Sequence, residues 1–240
     1  MFPDVIEAAN FPIDEDYNPL RKYLEKTEGT QIRFREKDRD NFFALNKLDP
    51  FMAGHKGFIC GGCFKNLFNG EKIKDVDIFF ENEADWQSAV EFYDKECDEG
   101  TVIFLYENDN VKAYVHESTG IRIELCRRIF GTPEQIIGQF DFTITKVAYF
   151  KKEAEDKEGN GTHIEYALLL HPDFFEHLHT KRLVIDNNIP FPMSTLERIF
   201  RYIKYGYGPC KETKIKIAKA IHDLSPEQIE VSQDLYNGMD

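Results

Sequence analysis

The fold is decided by residues 61–77, which read GGCFKNLFNGEKIKDVD. The apolar run Phe58–Cys60 comes directly before this stretch and predicts a buried strand that enters a tight Gly-Gly turn. Cys63–Phe68 then predicts a helix with its N-terminus at the turn, and Val76–Phe80 predicts a second strand. The order is therefore strand, turn, helix and strand, with an Asp-x-Asp pair at the start of the second strand.

Asp75 and Asp77 are the candidate catalytic and metal-binding residues. Alternate side chains of a strand share one face, so both carboxylates lie on one side while Val76 and Ile78 enter the core. Carboxylates held so close repel each other unless a cation lies between them. Mg²⁺ (or Mn²⁺), with triphosphate oxygens completing its octahedron, suits this donor chemistry. The alternative is a surface aspartate pair beside an ordinary turn.

Gly61 and Gly62 are predicted to hold phosphate. Without Cβ atoms they let backbone N–H groups approach an anion, and the following helix directs its positive end to the same place. Lys65 lies on that helix and is a further candidate nucleotide ligand. A Gly-Gly turn or an Asp-x-Asp pair alone is weak evidence, but the two in this order are much stronger.

Glu124 is the candidate third carboxylate. It lies between apolar residues in Ile121–Leu125, on a predicted strand, where a charged side chain needs a reason. A third carboxylate would let two metal ions be held, one activating the attacking hydroxyl and the other stabilising the leaving pyrophosphate. The alternative is an exposed-face glutamate on a half-buried strand. Arg127 and Arg128 follow and could reach phosphates, or could form a solvated pair.

The rest of the pattern predicts an α+β head followed by helices. Further strands are expected at 102–106, 111–116 and 121–126, with a hairpin at 142–150 and 164–170 around a loop at 151–162. Helices are expected at 18–26, 83–97, 132–140, 174–179, 194–205, 211–223 and 226–236. We divide the chain into an N-terminal extension (1–50), a nucleotide-handling head (51–185) and a C-terminal helical region (186–240).

The charge balance restricts the partners. The net charge is −13, with 30 Lys and Arg against 43 Asp and Glu. A protein that grips a long nucleic acid needs a basic footprint, so we expect no extended nucleic-acid surface. A nucleoside triphosphate remains compatible, because a bound metal supplies positive charge locally. The sequence has no apolar run long enough for a bilayer and no leader after Met1, so we expect a soluble, cytoplasmic protein without a membrane partner.

Three segments resemble a known family. Gly61–Gly70, followed by Asp75-Val76-Asp77, resembles the head of CCA-adding tRNA nucleotidyltransferases and bacterial poly(A) polymerases, in the DNA polymerase β superfamily. Asp141–Ile144 resembles the Asp-Phe-Thr-Ile segment that braces their active site. Leu196–Tyr207, which contains Arg198, resembles the neck in which that family selects the base. The resemblance implies a mixed β-sheet flanked by helices, a small helical neck, and a base contact for Arg198.

The departures from the family pattern restrict the substrate. Lys65-Asn66 stands where the family has Arg-Asp, and Gln139 stands where it has Arg. The neck motif keeps only Arg198, so selection of C and A is not expected to carry over. From the residues after the neck we expect no body and tail of the kind that hold tRNA. Small phage-encoded and toxin-type transferases are therefore a better comparison than CCA addition.

Two functions remain open from the sequence. The first is metal-dependent transfer of a nucleoside monophosphate from an NTP to a hydroxyl acceptor, which could be an RNA 3′ end, a protein side chain or a small molecule. The second is a catalytically idle relative that serves as a binding module or regulator of a host protein. A phage-encoded member of either kind would act in the host cytoplasm.

Overall fold

One mixed β-sheet organises the molecule. The structure is a computed structural model that describes residues 33–155, 162–186 and 189–225. The sheet contains β1 (Arg35–Asp38), β2 (Phe58–Cys60), β3 (Asp75–Phe79), β4 (Val102–Glu107), β5 (Val111–His116), β6 (Arg122–Cys126), β7 (Val147–Glu155) and β8 (Thr162–Leu170). Their order is β1-β8-β7-β2-β3-β6-β5-β4. β3 and β6 run parallel, whereas the other neighbours run antiparallel.

Helices flank the sheet and continue beyond it. They are α1 (Cys63–Phe68), α2 (Glu83–Asp98), α3 (Pro133–Gly138), α4 (Phe174–His179), α5 (Pro192–Lys204) and α6 (Lys211–His222). A short parallel pair, β9 (Arg182–Leu183) and β10 (Gly208–Pro209), lies beside the last two helices. No helix in the described ranges is both long and apolar enough to cross a lipid bilayer.

Local sequence explains where the helices begin. The side chain of Asn82 accepts a hydrogen bond from the Asp85 amide and caps α2. Thr132 and Gln135 form a reciprocal capping box before α3, with Pro133 at its first turn. The predicted helices over 83–97, 132–140, 174–179, 194–205 and 211–223 are confirmed within a few residues at each end. The helices predicted at 18–26 and 226–236 lie outside the described residues.

The two faces of the sheet bury different cores. Val76, Ile78 and Leu125 are fully buried on the face that α2 covers, in the larger core. The other face carries a smaller core, which includes Phe79 and Ile136 of α3. Because side chains alternate along a strand, Asp75 and Asp77 share the face of Phe79. The two aspartates therefore lie on the face that carries the smaller core.

One predicted strand begins later than expected. Residues 142–146 do not join β7; Thr143–Thr145 instead forms a 3₁₀ turn. The backbone and the hydroxyl of Thr145 both donate to the Phe142 carbonyl, at 2.9 and 2.8 Å, and close this turn. The hairpin is also longer than expected, because β7 continues to Glu155 and β8 starts at Thr162. Alternating apolar and polar residues at 141–146 imitate a strand, and the turn overrides that pattern.

Residues 33–52 contribute to the same sheet and core. β1 pairs with β8 at the sheet edge, and Leu45 and Leu48 are fully buried. Asp49 accepts a hydrogen bond from the Tyr149 hydroxyl at 2.7 Å and pairs with Arg39 at 2.5 Å. This part of the N-terminal extension drawn from the sequence is thus packed into the head.

Candidate active site

Two parallel strands bring the predicted carboxylates together. In the β3–β6 register, Asp75 lies opposite Arg122 and Asp77 lies opposite Glu124. Opposite residues on neighbouring strands share a face, so three acids and one arginine form a two-by-two arrangement. We call these four residues, Asp75, Asp77, Arg122 and Glu124, the carboxylate grid. The sequence pattern predicts its three acids but not the arginine.

Asp77 is the acid of the grid whose ionisation is clearly opposed by its surroundings. Burial raises the pKa of its carboxyl well above the ordinary value, and the facing charges of Glu124 and Asp75 raise it further. Arg122 partly offsets this rise. The free protein therefore holds a carboxyl that resists ionisation until more positive charge arrives.

Arg122 lies between the acids. Its Nε is 2.7 Å from Oε1 of Glu124, and one terminal nitrogen is 3.4 Å from Oδ2 of Asp75. The Nε is nevertheless buried without donating a hydrogen bond, so the contact to Glu124 is an ion pair of poor hydrogen-bond geometry. The arginine supplies positive charge where the sequence predicts a metal.

Tyr106 reaches the grid from the edge of the sheet. Its hydroxyl donates to Oε1 of Glu124 at 3.2 Å. Tyr106 lies opposite Ala113 on β5, which lies opposite Glu124 on β6, so the phenol crosses a whole strand. Ala113 is fully buried, and its small side chain leaves room for this crossing. No local sequence pattern predicts a role for Tyr106, because its contact with Glu124 depends on strand order.

The glycine turn lies against Asp77. Gly61 adopts a φ of +92°, a left-handed conformation that favours glycine, and a Cβ there would lie 3.5 Å from Oδ2 of Asp77. Its amide donates to the Val147 carbonyl at 3.2 Å and so serves the sheet. A Cβ on Gly62 would lie 3.7 Å from the Tyr202 hydroxyl of α5. The turn therefore lies between the carboxylates and the neck helix.

Lys65 and Arg127 have partners outside the grid. The buried Lys65 ammonium binds Glu71 at 2.9 Å, contacts Asn66, and lies 5.0 Å from the centre of the Tyr205 ring. Arg127 stacks over Trp86 and donates to the turn between β4 and β5, through Glu107 and the carbonyls of Asn108 and Asp109. These contacts hold Arg127 at that turn and Lys65 toward the neck.

Arg198 links the neck to the head. It donates to Oδ2 of the buried Asp141 at 2.6 Å. Asp141 lies in the segment that resembles the family's bracing motif, and its partner is on the neck helix α5. In this arrangement the guanidinium that the resemblance assigns to the base is paired with the head.

A second ion cluster fastens the same junction. Lys146, which is fully buried, pairs with Oδ1 of Asp186 at 2.5 Å, and Nε2 of His171 lies 2.7 Å from Oδ2 of the same aspartate. The adjacent Ile185 bridges Phe142. We call Lys146, His171 and Asp186 the neck latch. Burial lowers the pKa of Lys146, whereas contacts with His171 and Lys146 outweigh burial and lower the pKa of Asp186.

The grid has suitable chemistry for Mg²⁺ but not a finished coordination sphere. Its carboxylate oxygens are hard donors of the kind that Mg²⁺ prefers. The raised pKa of Asp77 marks a local excess of negative charge that a cation would relieve. However, across residues 33–155, 162–186 and 189–225, no three His, Cys, Asp or Glu side chains are already arranged to hold a metal ion. The carboxylate donors fit the metal, but Arg122 already contacts two of them, Asp75 and Glu124.

Comparison with known proteins establishes the family. The family described as Gad2, Gabija anti-defense 2 family protein, matches residues 32–181, more than half of the chain. The chain belongs to the Gad2 family. It is 26% identical over 205 residues to the protein named Gabija anti-defense 2 from Bacillus phage SPbetaL7. That alignment covers 85% of this chain and 47% of the phage protein, so this Gad2 chain spans about half the length of that relative.

Solved structures confirm the predicted fold. The Thermotoga maritima CCA-adding enzyme complexed with tRNA matches with a TM-score of 0.52 and 17% identity, over 85% of this chain and 50% of that one. A CCA-adding enzyme in complex with CTP matches with a TM-score of 0.53 and 17% identity, over 85% and 49%. The Gad2 chain thus shares the α+β fold of the head and neck of these CCA-adding enzymes, as its motifs predict.

Proposed function

We propose that this Gad2 protein is a metal-dependent nucleotidyltransferase that moves a nucleoside monophosphate from an NTP to a hydroxyl group. The observation that carries the proposal is the meeting of Asp75, Asp77 and Glu124 on one sheet face, beside the turn at Gly61. The fold supports the reaction class, because the similar solved structures are CCA-adding enzymes in complex with tRNA and with CTP.

The three carboxylates would divide two roles between them. Asp75 and Asp77 would hold Mg²⁺ or Mn²⁺, and the metal would neutralise charge on the triphosphate. Glu124 would accept the proton of the attacking hydroxyl, while the Tyr106 hydroxyl holds its carboxylate in one orientation. The desolvated surroundings of the Asp77 carboxyl would strengthen its interaction with a bound cation.

The remaining predicted ligands would act on the nucleotide from the neck side. Gly61 and Gly62 would allow the triphosphate to approach the turn, and Lys65 would contribute positive charge beside it. Arg198 would contact the base only by sharing its guanidinium with Asp141. Arg127 has the weakest support as a nucleotide ligand, because it serves the β4–β5 turn.

A host protein is the acceptor that we favour. The phage relative is named for anti-defense activity, and a transferase could act in that way by modifying a component of the host's defence. The net charge of −13 disfavours a long RNA, although an RNA 3′ end needs only a small contact. A small-molecule acceptor remains an outcome of the test. The site of action would be the host cytoplasm.

Labelled nucleotides test the proposal directly. The protein is incubated with each α-labelled NTP, Mg²⁺ or Mn²⁺, and a lysate of cells that carry the Gabija defence, which the family is named for. Label should appear on a protein, and Asp77→Asn should abolish it. Asp98→Asn is the matched control, because it removes an exposed carboxylate at the end of α2. If wild type and Asp77→Asn transfer equally little label, the enzyme is refuted; label on RNA or on a small molecule would reassign the acceptor.

The pairing of Arg122 with the acids favours a second candidate, a binding module that regulates a host protein without catalysis. A site that already contains its own cation can persist without metal chemistry. Calorimetry would then detect NTP binding without turnover, and Asp77→Asn would still protect phage from the defence. Loss of protection in Asp77→Asn, with the variant folded, would reject the module.

A further inference from the structure

The guanidinium of Arg122 lies at the carboxylates that the proposed metal ion would bind. Arg122 lies opposite Asp75 in the strand register and contacts Asp75 and Glu124, two of the three acids of the carboxylate grid. A divalent metal at the same carboxylates would stand close to this guanidinium, and like charges repel. We propose that Arg122 is a built-in counter-ion that competes with the metal and leaves the carboxylates when metal and nucleotide bind. This inference rests on the proposed function.

The contacts of Arg122 are suited to exchange. Its Nε is buried without donating a hydrogen bond, and its nearest contact to Asp75 is a long 3.4 Å. A settled structural arginine would form two parallel, well-directed bonds to a carboxylate. The side chain is 39% exposed, so the guanidinium can move into solvent without disturbing the core. The pairing is therefore weak enough to break and close enough to compete.

The counter-ion also explains why the grid is tolerated in the free protein. Asp77, Asp75 and Glu124 lie together on a partly desolvated face, and an uncompensated cluster of this kind is costly. Arg122 cancels part of the charge while the site is idle. When it leaves, triphosphate oxygens offer it an alternative partner, since guanidinium pairs well with phosphate. Metal binding and nucleotide binding are thereby coupled.

Direct metal binding provides the test. Mn²⁺ alone is titrated into the full chain and followed by electron paramagnetic resonance, for wild type, Arg122→Met, Lys95→Met and Asp77→Asn. Arg122→Met should bind Mn²⁺ about threefold to tenfold more tightly, because a partly exposed ion pair no longer competes. Lys95→Met removes one exposed positive charge from α2 and controls for net charge; its affinity should match wild type. Asp77→Asn should lose the site.

Thermal unfolding supplies a second reading. Without metal, Arg122→Met should unfold at a lower temperature than wild type, and Mn²⁺ should raise its unfolding temperature by more than it raises that of wild type. If Arg122→Met does not fold, Arg122→Lys replaces it, because a compact ammonium cannot span both acids; its Mn²⁺ affinity should still exceed that of wild type.

The outcomes separate the inference from the function. If Asp77→Asn loses Mn²⁺ while the Arg122 variant binds it no more tightly than wild type, the competing role is wrong and the metal site stands. If neither wild type nor the Arg122 variant binds Mn²⁺, alone or with a non-hydrolysable ATP analogue, both proposals fail. Tighter binding by Arg122→Met together with loss in Asp77→Asn supports both.

Discussion

The carboxylate grid sets three acids against one arginine, whereas the neck latch balances Asp186 between Lys146 and His171. The grid raises the pKa of Asp77, and the latch lowers the pKa of Asp186. The first cluster thus has more acids than cations, whereas in the second a single acid lies beside a lysine and a histidine. The difference separates a region suited to recruit a cation from a region suited to hold two parts of the chain together.

Removing a grid acid should have the largest effect, and that effect should fall on activity. Asp77→Asn should reduce nucleotide transfer about a thousandfold, equivalent to about 4 kcal/mol, because the metal loses a ligand that neutralises charge in the transition state. In the absence of metal the same variant should be about 1 kcal/mol more stable, since a like-charged cluster loses one member. Rate assays and urea unfolding measure the two quantities; a loss of both activity and stability would make Asp77 a structural residue.

Removing a latch residue should show the opposite pattern. Lys146→Met should destabilise the fold by about 3 kcal/mol, because it leaves Asp186 buried beside only His171. Lys152→Met is the matched control on β7, where an exposed pair with Glu36 contributes less than about 1 kcal/mol. Urea unfolding compares the two variants. Equal, small losses would show that the latch carries little of the stability.

The two clusters should also respond oppositely to pH. Asp77 has a raised pKa in the folded state, so the metal-free fold binds more protons than the unfolded chain and loses stability as the pH rises above about 4. Asp186 has a lowered pKa, so its stabilisation is present above about pH 4 and is lost as the pH falls further. The free energy of unfolding is measured across pH for wild type and both variants. Asp77→Asn should not show the loss of stability above about pH 4, and Asp186→Asn should not show the loss as the pH falls further. Saturating Mn²⁺ should remove the loss of stability above about pH 4 from wild type. If wild type and both variants show the same dependence of stability on pH, the two clusters do not respond oppositely to pH.

The smallest effect is expected at the rim of the grid. Tyr106→Phe removes the donor to Glu124 while keeping the ring, and should slow transfer about threefold without a measurable change in stability. Single-turnover kinetics detect a change of this size. Tyr114→Phe on β5, whose hydroxyl binds Asp94, is a control for loss of a phenol elsewhere and should leave the rate unchanged.

Sequence spacing predicted the acids of the site because their signal is local. Asp75 and Asp77 share a face by strand parity alone, and Glu124 stood out as a charge among apolar neighbours. Arg122 and Tyr106 could not be placed, because their contacts depend on which strands are neighbours and in what register. The assignment of Asp75, Asp77 and Glu124 to catalysis or metal binding stays a prediction.

The neck was harder to predict for a related reason. Asp141 and Arg198 are 57 residues apart, and Lys146 and Asp186 are 40 apart, so no local pattern joins them. The α+β class and the head-and-neck fold were predictable from the order of elements and the family motifs. The boundaries at residues 50 and 185 remain proposals, and the packing of Leu45 in the core argues for an earlier start of the head.

The path of Tyr106 across Ala113 places a constraint on how Gad2 sequences can diverge. A larger residue at position 113 would lift the phenol away from Glu124, and a shorter residue at position 106 would leave a groove above the alanine. Neither position is free to drift alone. Substitutions at 106 and 113 should therefore occur in pairs among homologous chains, so a small residue would accompany every long hydroxyl donor that reaches the grid from β4.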